Sequence, residues 1–252
     1  MKKIITPKVL LVIAMFCNGM KANTQERRRQ YEFGINLGFV IYQGDLTPNQ
    51  FGDLRTQQFA VGLHADRVLG PSFSVRTNLL IGNLKGDESK YSYPEYRKQR
   101  NFYFTSPLVE VSALLLYNVM GKNYADKGLS PYVFAGAGLS FLHIKRDWSR
   151  INTSYFDDEE TSSILTGLAA DSAHGLPRVI PVVPIGAGAR YFFTPQWGIN
   201  AEASYRLSYT DYLDGFSKSV NPDLNDHYLN YAIGLIFRPG KKSSQGCPAI
   251  QY

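Results

Sequence analysis

The sequence predicts an all-β protein: an eight-stranded antiparallel transmembrane β-barrel with short periplasmic turns and longer surface loops. Three observations carry that expectation. Eight long segments alternate apolar and polar residues, the connections between them alternate short and long, and aromatic residues gather near the segment ends.

Residues 1–22 precede the first such segment and read as a cleaved secretory signal. Lys2 and Lys3 form its basic start, residues 9–16 an apolar run, and Ala22 a small residue at the cleavage point. Cleavage after Gly19 is the competing site. Cys17 does not suit a lipoprotein signal, because bulky Phe16 stands before it. Four of the 27 basic residues (Lys2, Lys3, Lys8, Lys21) and none of the 21 acidic ones lie in this stretch, leaving 23 against 21. That balance of +2 gives no electrostatic case for nucleic-acid binding. The expected organisation is then a periplasmic segment over 23–30, the barrel over 31–239 and a periplasmic tail over 240–252. Cys247 is the only cysteine left after processing, so no internal disulfide forms and its thiol is free or bonded to another chain.

The clearest strand runs over 197–210. Trp197, Ile199, Ala201, Ala203, Tyr205, Leu207 and Tyr209 share one face; Asn200, Glu202, Ser204, Arg206, Ser208 and Thr210 share the other. This is about twice the usual strand length in soluble proteins. It suits a tilted strand crossing hydrocarbon, which needs about 9–11 residues. The same pattern places apolar Phe33 to Ile41 against Glu32 and Asn36, and Phe59 to Ala65 against His64 and Asp66. It sets Phe73 to Ile81 against Arg76 and Asn78, and Val109 to Tyr117 against Glu110 and Ser112. Val133 to Phe141 oppose Gly136, Gly138 and Ser140, while Val183 to Tyr191 oppose Gly186, Gly188 and Arg190. Leu229 to Phe237 close the series against Asn230 and Arg238. Eight is an even number, as single-chain bacterial barrels require.

The links near Gly70-Pro71 and Thr194-Pro195-Gln196 are short and the link over 121–128 is moderate. Those over 44–57, 85–102, 146–179 and 211–227 are longer and polar. That alternation puts both chain ends on the periplasmic side. Phe73, Tyr103, Tyr117, Trp197, Tyr209 and Tyr228 are expected in interfacial girdles. A soluble sandwich or lipocalin-like barrel is the competing fold, although strands this long and even in number are less usual there.

An eight-stranded barrel is only wide enough to be filled by side chains. Glu32, Glu110 and Glu202 with Arg76, Arg190, Arg206 and Arg238 therefore point to an internal charge network rather than an ion pore. The repeated Gly-Ala-Gly at 136–138 and 186–188 lacks the third glycine and the helix of a dinucleotide loop, so these glycines make room in a crowded lumen. No nucleophile elbow, H-E-x-x-H or cysteine pair is present, and no catalytic residue, cofactor or metal is expected. One enzymatic alternative is action on lipid A, with His143, Ser140, Asp171 and His174 as the groups that would form a nucleophile–base pair. The acidic run 157–160 lacks the spacing of a calcium loop and reads as a solvated tip.

Tyr31-Glu32-Phe33-Gly34-Ile35-Asn36-Leu37-Gly38 with Tyr42-Gln43-Gly44-Asp45-Leu46 resembles the opening of the PorG-like outer-membrane barrels. Ser74-Val75-Arg76-Thr77-Asn78-Leu79-Leu80 with Gly86-Asp87 resembles their third strand and its exit. The resemblance implies a non-enzymatic component of the type IX secretion system in the bacterial outer membrane. Its implied partners are outer-membrane lipid and a periplasmic ring of the PorK lipoprotein and PorN, which it would anchor or organise. It supplies no catalytic residues. The tail, with Lys241, Lys242 and Cys247, would hang where such a ring is reached.

Overall fold

The computed structural model describes residues 30–48, 52–220 and 225–240. The signal over 1–22, residues 23–29 and Lys241, Lys242 and Cys247 of the tail lie outside the described residues.

Nine strands and two α-helices occur among the described residues. The strands are β1 (Tyr31–Gln43), β2 (Gln58–Val68), β3 (Phe73–Asp87), β4 (Tyr103–Asn118), β5 (Gly128–Leu142), β6 (Lys145–Asp147), β7 (Val179–Phe192), β8 (Trp197–Ser208) and β9 (His227–Phe237). The helices are α1 (Glu95–Arg100) and α2 (Asp158–Ala173). All the strands but β6 form one up-and-down sheet, in which each pairs antiparallel with its chain neighbours and β1 pairs with β9. Phe33 thus lies between Ala65 on β2 and Phe237 on β9. The sheet closes, so no strand edge is left for hydrocarbon to desolvate. Short β6 extends the pairing of β4 beyond the barrel, with Lys145 opposite Thr105.

Alternation along each strand decides the two faces. Phe33, Leu37, Val111, Leu115 and Ile199 point out and are about half exposed, while Glu32, Arg76, Glu110 and Arg190 are buried inside. Among the described residues, the outward positions of 33–41, 59–65, 73–81, 109–117, 129–141, 179–191, 197–207 and 229–237 carry no charge. An exposed apolar belt around a closed barrel with a polar interior is built for a bilayer, not for water. The protein is an outer-membrane barrel. At the end bearing the short turns, Phe73 packs on Tyr117 and Trp197 on Phe237, with ring centroids 5.3 and 4.8 Å apart. Those rings form the periplasmic girdle.

Tyr228 does not belong to a girdle. It shares the parity of Asn230, points into the lumen and is fully buried against Glu110 and Ser140. An aromatic near a strand end is interfacial only if it is on the outward face.

The surface loops also depart from the expectation of polar, solvated excursions. They fold over the barrel mouth and continue its core: Leu46, Phe102, Ile144, Leu168, Leu213 and Phe216 pack with Val40, Tyr42, Leu84, Phe104 and Val182 from the strands. The acidic run is not a loose tip but the start of α2. Asp157 caps the helix by accepting from the Glu160 amide at 2.8 Å, and Asp158, Glu159 and Glu160 fill the first turn, where the helix dipole favours negative charge. Within the 88–102 loop, buried Glu88 accepts from Arg100, Arg97 and the Phe102 amide, which gathers that loop against the mouth.

Candidate functional site

Three buried ion-pair clusters fill the lumen from the periplasmic end upward. Lowest, Glu32 takes Arg190 at 2.7 Å on one oxygen and Arg238 at 2.8 Å on the other. Arg238 also donates to the Ala125 and Asn123 carbonyls at 2.7 and 3.0 Å and lies 3.4 Å from the Phe192 ring centre. Asn123 reaches in from the 119–127 turn; it donates to Gly70 O at 2.8 Å and accepts from Asn118 and Arg190. The periplasmic mouth is therefore closed by a turn whose polar groups are bonded to the wall.

At mid-height Arg76 forks onto Asp66 at 2.7 and 2.8 Å and reaches Glu202 at 2.5 Å. Tyr132 donates to the same Glu202 oxygen, and His64 lies 3.1 Å from Asp66. Above, Arg206 meets Glu110 at 3.1 Å, and Tyr228 and Ser112 both donate to Glu110 at 2.9 Å. The seven charged residues singled out from sequence all enter these clusters, in three groups rather than one network. Asp66 completes the set, so four carboxylates face four guanidiniums. The signal for Asp66 was its inward parity on β2, two residues from His64.

Between the middle and upper clusters a cavity of about 10 Å³ is lined by Asn36, Asn78, Phe134, Ser204 and Asn230. That is room for about one water molecule. The glycine repeats serve two kinds of crowding. A Cβ on Gly136 would stand 2.0 Å from the Ala113 carbonyl oxygen of the neighbouring strand, whereas one on Gly186 would meet the Phe134 ring at 2.6 Å. With the apolar plug above, the described residues form a braced, filled cylinder.

The groups considered for lipid chemistry are not brought together. Ser140 points inward and lies 2.6 Å from the Tyr228 hydroxyl, while His143 stands exposed on the outer face. His174 stacks on Tyr212 with centroids 4.0 Å apart. Asp171 is committed to the mouth: it accepts the amides of Ser217, Lys218 and Ser219 at 3.2, 2.9 and 3.0 Å and the Ser219 hydroxyl at 2.7 Å. Burial opposes its charge, yet these donors hold the carboxyl below its ordinary value. Arg146 ties the same region together through the Gly215 and Asp171 carbonyls. Among the described residues no group of histidine, cysteine and carboxylate side chains is arranged to hold a metal.

Solved structures similar to this chain include bacterial outer-membrane proteins. Neisserial surface protein A is 14% identical with a TM-score of 0.45, over 83% of this chain and 97% of that one. Ail, the attachment invasion locus protein of Yersinia pestis, is 10% identical with a TM-score of 0.45, over 83% and 98%. A major outer membrane protein from Thermus thermophilus is 12% identical with a TM-score of 0.44, over 83% and 99%. No curated protein matches the chain. Residues 7–238 match a family described as a domain of unknown function, DUF6089. The match takes in most of the sequence: this chain is a member of the DUF6089 family.

Proposed function

We propose that this barrel is a non-enzymatic outer-membrane component of a type IX protein secretion system, and that it anchors or organises a periplasmic ring of the PorK and PorN kind. The observation that carries the reading is the sealed lumen. Ion pairs, the Asn123 turn and the apolar plug fill it from end to end, so the surfaces left for work are the outer wall and the two ends. The secretion role is supported by the resemblance of residues 31–46 and 74–87 to the PorG-like barrels. Short, wall-bonded periplasmic turns suit a fixed mounting point, because docking on them orders little further chain.

Crosslinking and co-purification from native outer membranes test this. PorK- and PorN-like proteins should accompany the barrel; a barrel recovered without them after crosslinking overturns the reading. Deleting residues 240–252 should weaken that association if the tail takes part. A covalent link through Cys247 predicts a complex on non-reducing gels that Cys247→Ser abolishes. A small general pore is disfavoured by the filled lumen, and a large stable conductance in planar bilayers would restore it. Action on lipid A is disfavoured because Ser140 and His143 face opposite sides of the wall; a changed lipid A mass on expression would restore that reading.

A further inference from the structure

At the barrel mouth the hydroxyl of Tyr42, near the top of β1, lies 2.6 Å from Oδ2 of Asp214 and 2.6 Å from Oδ1 of Asp226. All three side chains are fully buried. A tyrosine hydroxyl has one proton and can donate to one carboxylate only. If both aspartates were ionised, the second contact would set lone pair against lone pair at hydrogen-bond distance. The remaining carboxyl oxygens accept from amides: Asp214 Oδ1 from Phe216 at 2.7 Å, and Asp226 Oδ2 from Leu213 at 3.0 Å and Asp214 at 3.4 Å. A carboxyl proton therefore has one place to sit, on the oxygen facing Tyr42.

We propose that residues 209–220 form a proton-held lid: one proton shared among Tyr42, Asp214 and Asp226 fastens the segment over the barrel mouth, and losing it releases the segment. Release would bare Leu213 and Phe216, and with them the ring of Phe102 on which Phe216 stacks at 4.7 Å. The cell-surface end of the barrel would then present an apolar face that the closed state hides.

The surroundings favour uptake of the proton. The lid itself carries Asp211 and exposed Lys218, and His227 follows Asp226 in the chain. Asp45 acts from the loop after β1, and Asp171 from α2. Arg146 of the β6 strand is turned to the Gly215 and Asp171 carbonyls, and Arg97 of α1 donates to the Asp45 carbonyl. Among the described residues no cation forms an ion pair with Asp214 or Asp226. Burial pushes both carboxyls well above the ordinary carboxylate value, and the nearby charges of Asp45 and Asp211 push the same way. Asp211 is pushed up to about 7, chiefly by burial. Closing thus takes up protons. The closed lid is favoured at low pH and loses stability as pH rises above about 4, the value of a free aspartate, through the raised values of the closed state.

Trp148 is the natural reporter, because its ring meets Phe216 edge-on at 6.1 Å. The only other tryptophan, Trp197, lies in the periplasmic girdle, so Trp197→Phe leaves a single probe. With that full-length protein folded in detergent micelles, Trp148 emission and hydrogen exchange of the 213–219 amides, corrected for intrinsic rates, are followed from pH 5 to 10. Expected are a reversible red shift and at least a tenfold loss of protection as the pH rises. Asp226→Asn supplies a permanent donor to the Tyr42 oxygen and should flatten both responses. Asp214→Asn makes the same substitution in proton count, and serves if the first variant does not fold. Tyr42→Phe removes the hydroxyl that fastens both carboxyls and should weaken closure at every pH, so that opening sets in at lower pH. Constant emission and protection across the range overturn the proposal. So do variants that titrate like the parent, or a transition that follows added calcium instead of pH.

Discussion

Asp171 illustrates how much a single side chain organises at the mouth. Its two oxygens collect three backbone amides and one hydroxyl from 217–219, fixing α2 to the last surface loop. Asp171→Ala leaves those buried donors without an acceptor and should lower the local opening free energy by roughly 2–4 kcal/mol, read by hydrogen exchange at Ser217 to Ser219. Because its carboxyl is held below the ordinary value, this contribution is complete above about pH 4 and is lost as pH falls through the depressed value. The sign is opposite to that of Asp214 and Asp226, so the mouth should be firmest at mildly acidic pH. Glu32 plays the comparable part at the periplasmic end, where its two oxygens pair with Arg190 and Arg238. Glu32→Gln takes the shared carboxylate from two buried guanidiniums and should cost about 3–5 kcal/mol in urea unfolding from bilayers.

Among the elements, the strands were plain in the sequence and the mouth was not. Period-2 alternation over 11 to 16 residues admits one face assignment, since a one-residue slip would put Arg76 and Glu110 into lipid. Helix α2 carried a local signal in Asp157 and Glu160 three residues apart at an N-terminus, ahead of apolar Ile164, Leu165 and Leu168. The same acidic residues also suit a solvated tip, so the local pattern alone does not choose between the two. What no local pattern conveyed is where α2 docks. Gly167 allows it: a Cβ there would stand 2.5 Å from the Lys218 carbonyl oxygen and 2.6 Å from the Ser219 Cα. Gly167→Val should push α2 off the 217–219 segment at a cost of about 1–3 kcal/mol. Faster proteolysis within 158–173, with the barrel still resistant, is the outcome to look for.

For the whole molecule, two solvents act on one wall. The outer face needs hydrocarbon and the inner face needs partners for every charge, and the closed sheet meets both demands. A charge placed in the belt should be costly. Val111→Arg, near the middle of β4, should destabilise the barrel by about 2–4 kcal/mol, whereas its inward neighbour Ser112 tolerates alanine far better. Unfolding of both variants in bilayers of one thickness measures the contrast. An Arg variant as stable as Ser112→Ala would mean that the apolar belt does not face lipid.

The sequence by itself determined the number of barrel strands, the two faces of each, the up-and-down order and the seven charges placed inside. Each of these depends on parity and spacing, which are properties of the chain read locally. Tertiary structure alone decided how those charges divide into three clusters, that Tyr228 serves Glu110 rather than the bilayer interface, and that the surface loops close over the mouth. The reason is physical. Alternation tells which side of the wall a side chain is on, but pairing across the lumen joins residues as far apart as Glu32 and Arg238 and depends on strand stagger and barrel closure. The Tyr42, Asp214 and Asp226 cluster is of that second kind, since Tyr42 on β1 meets residues 172 and 184 positions further along the chain.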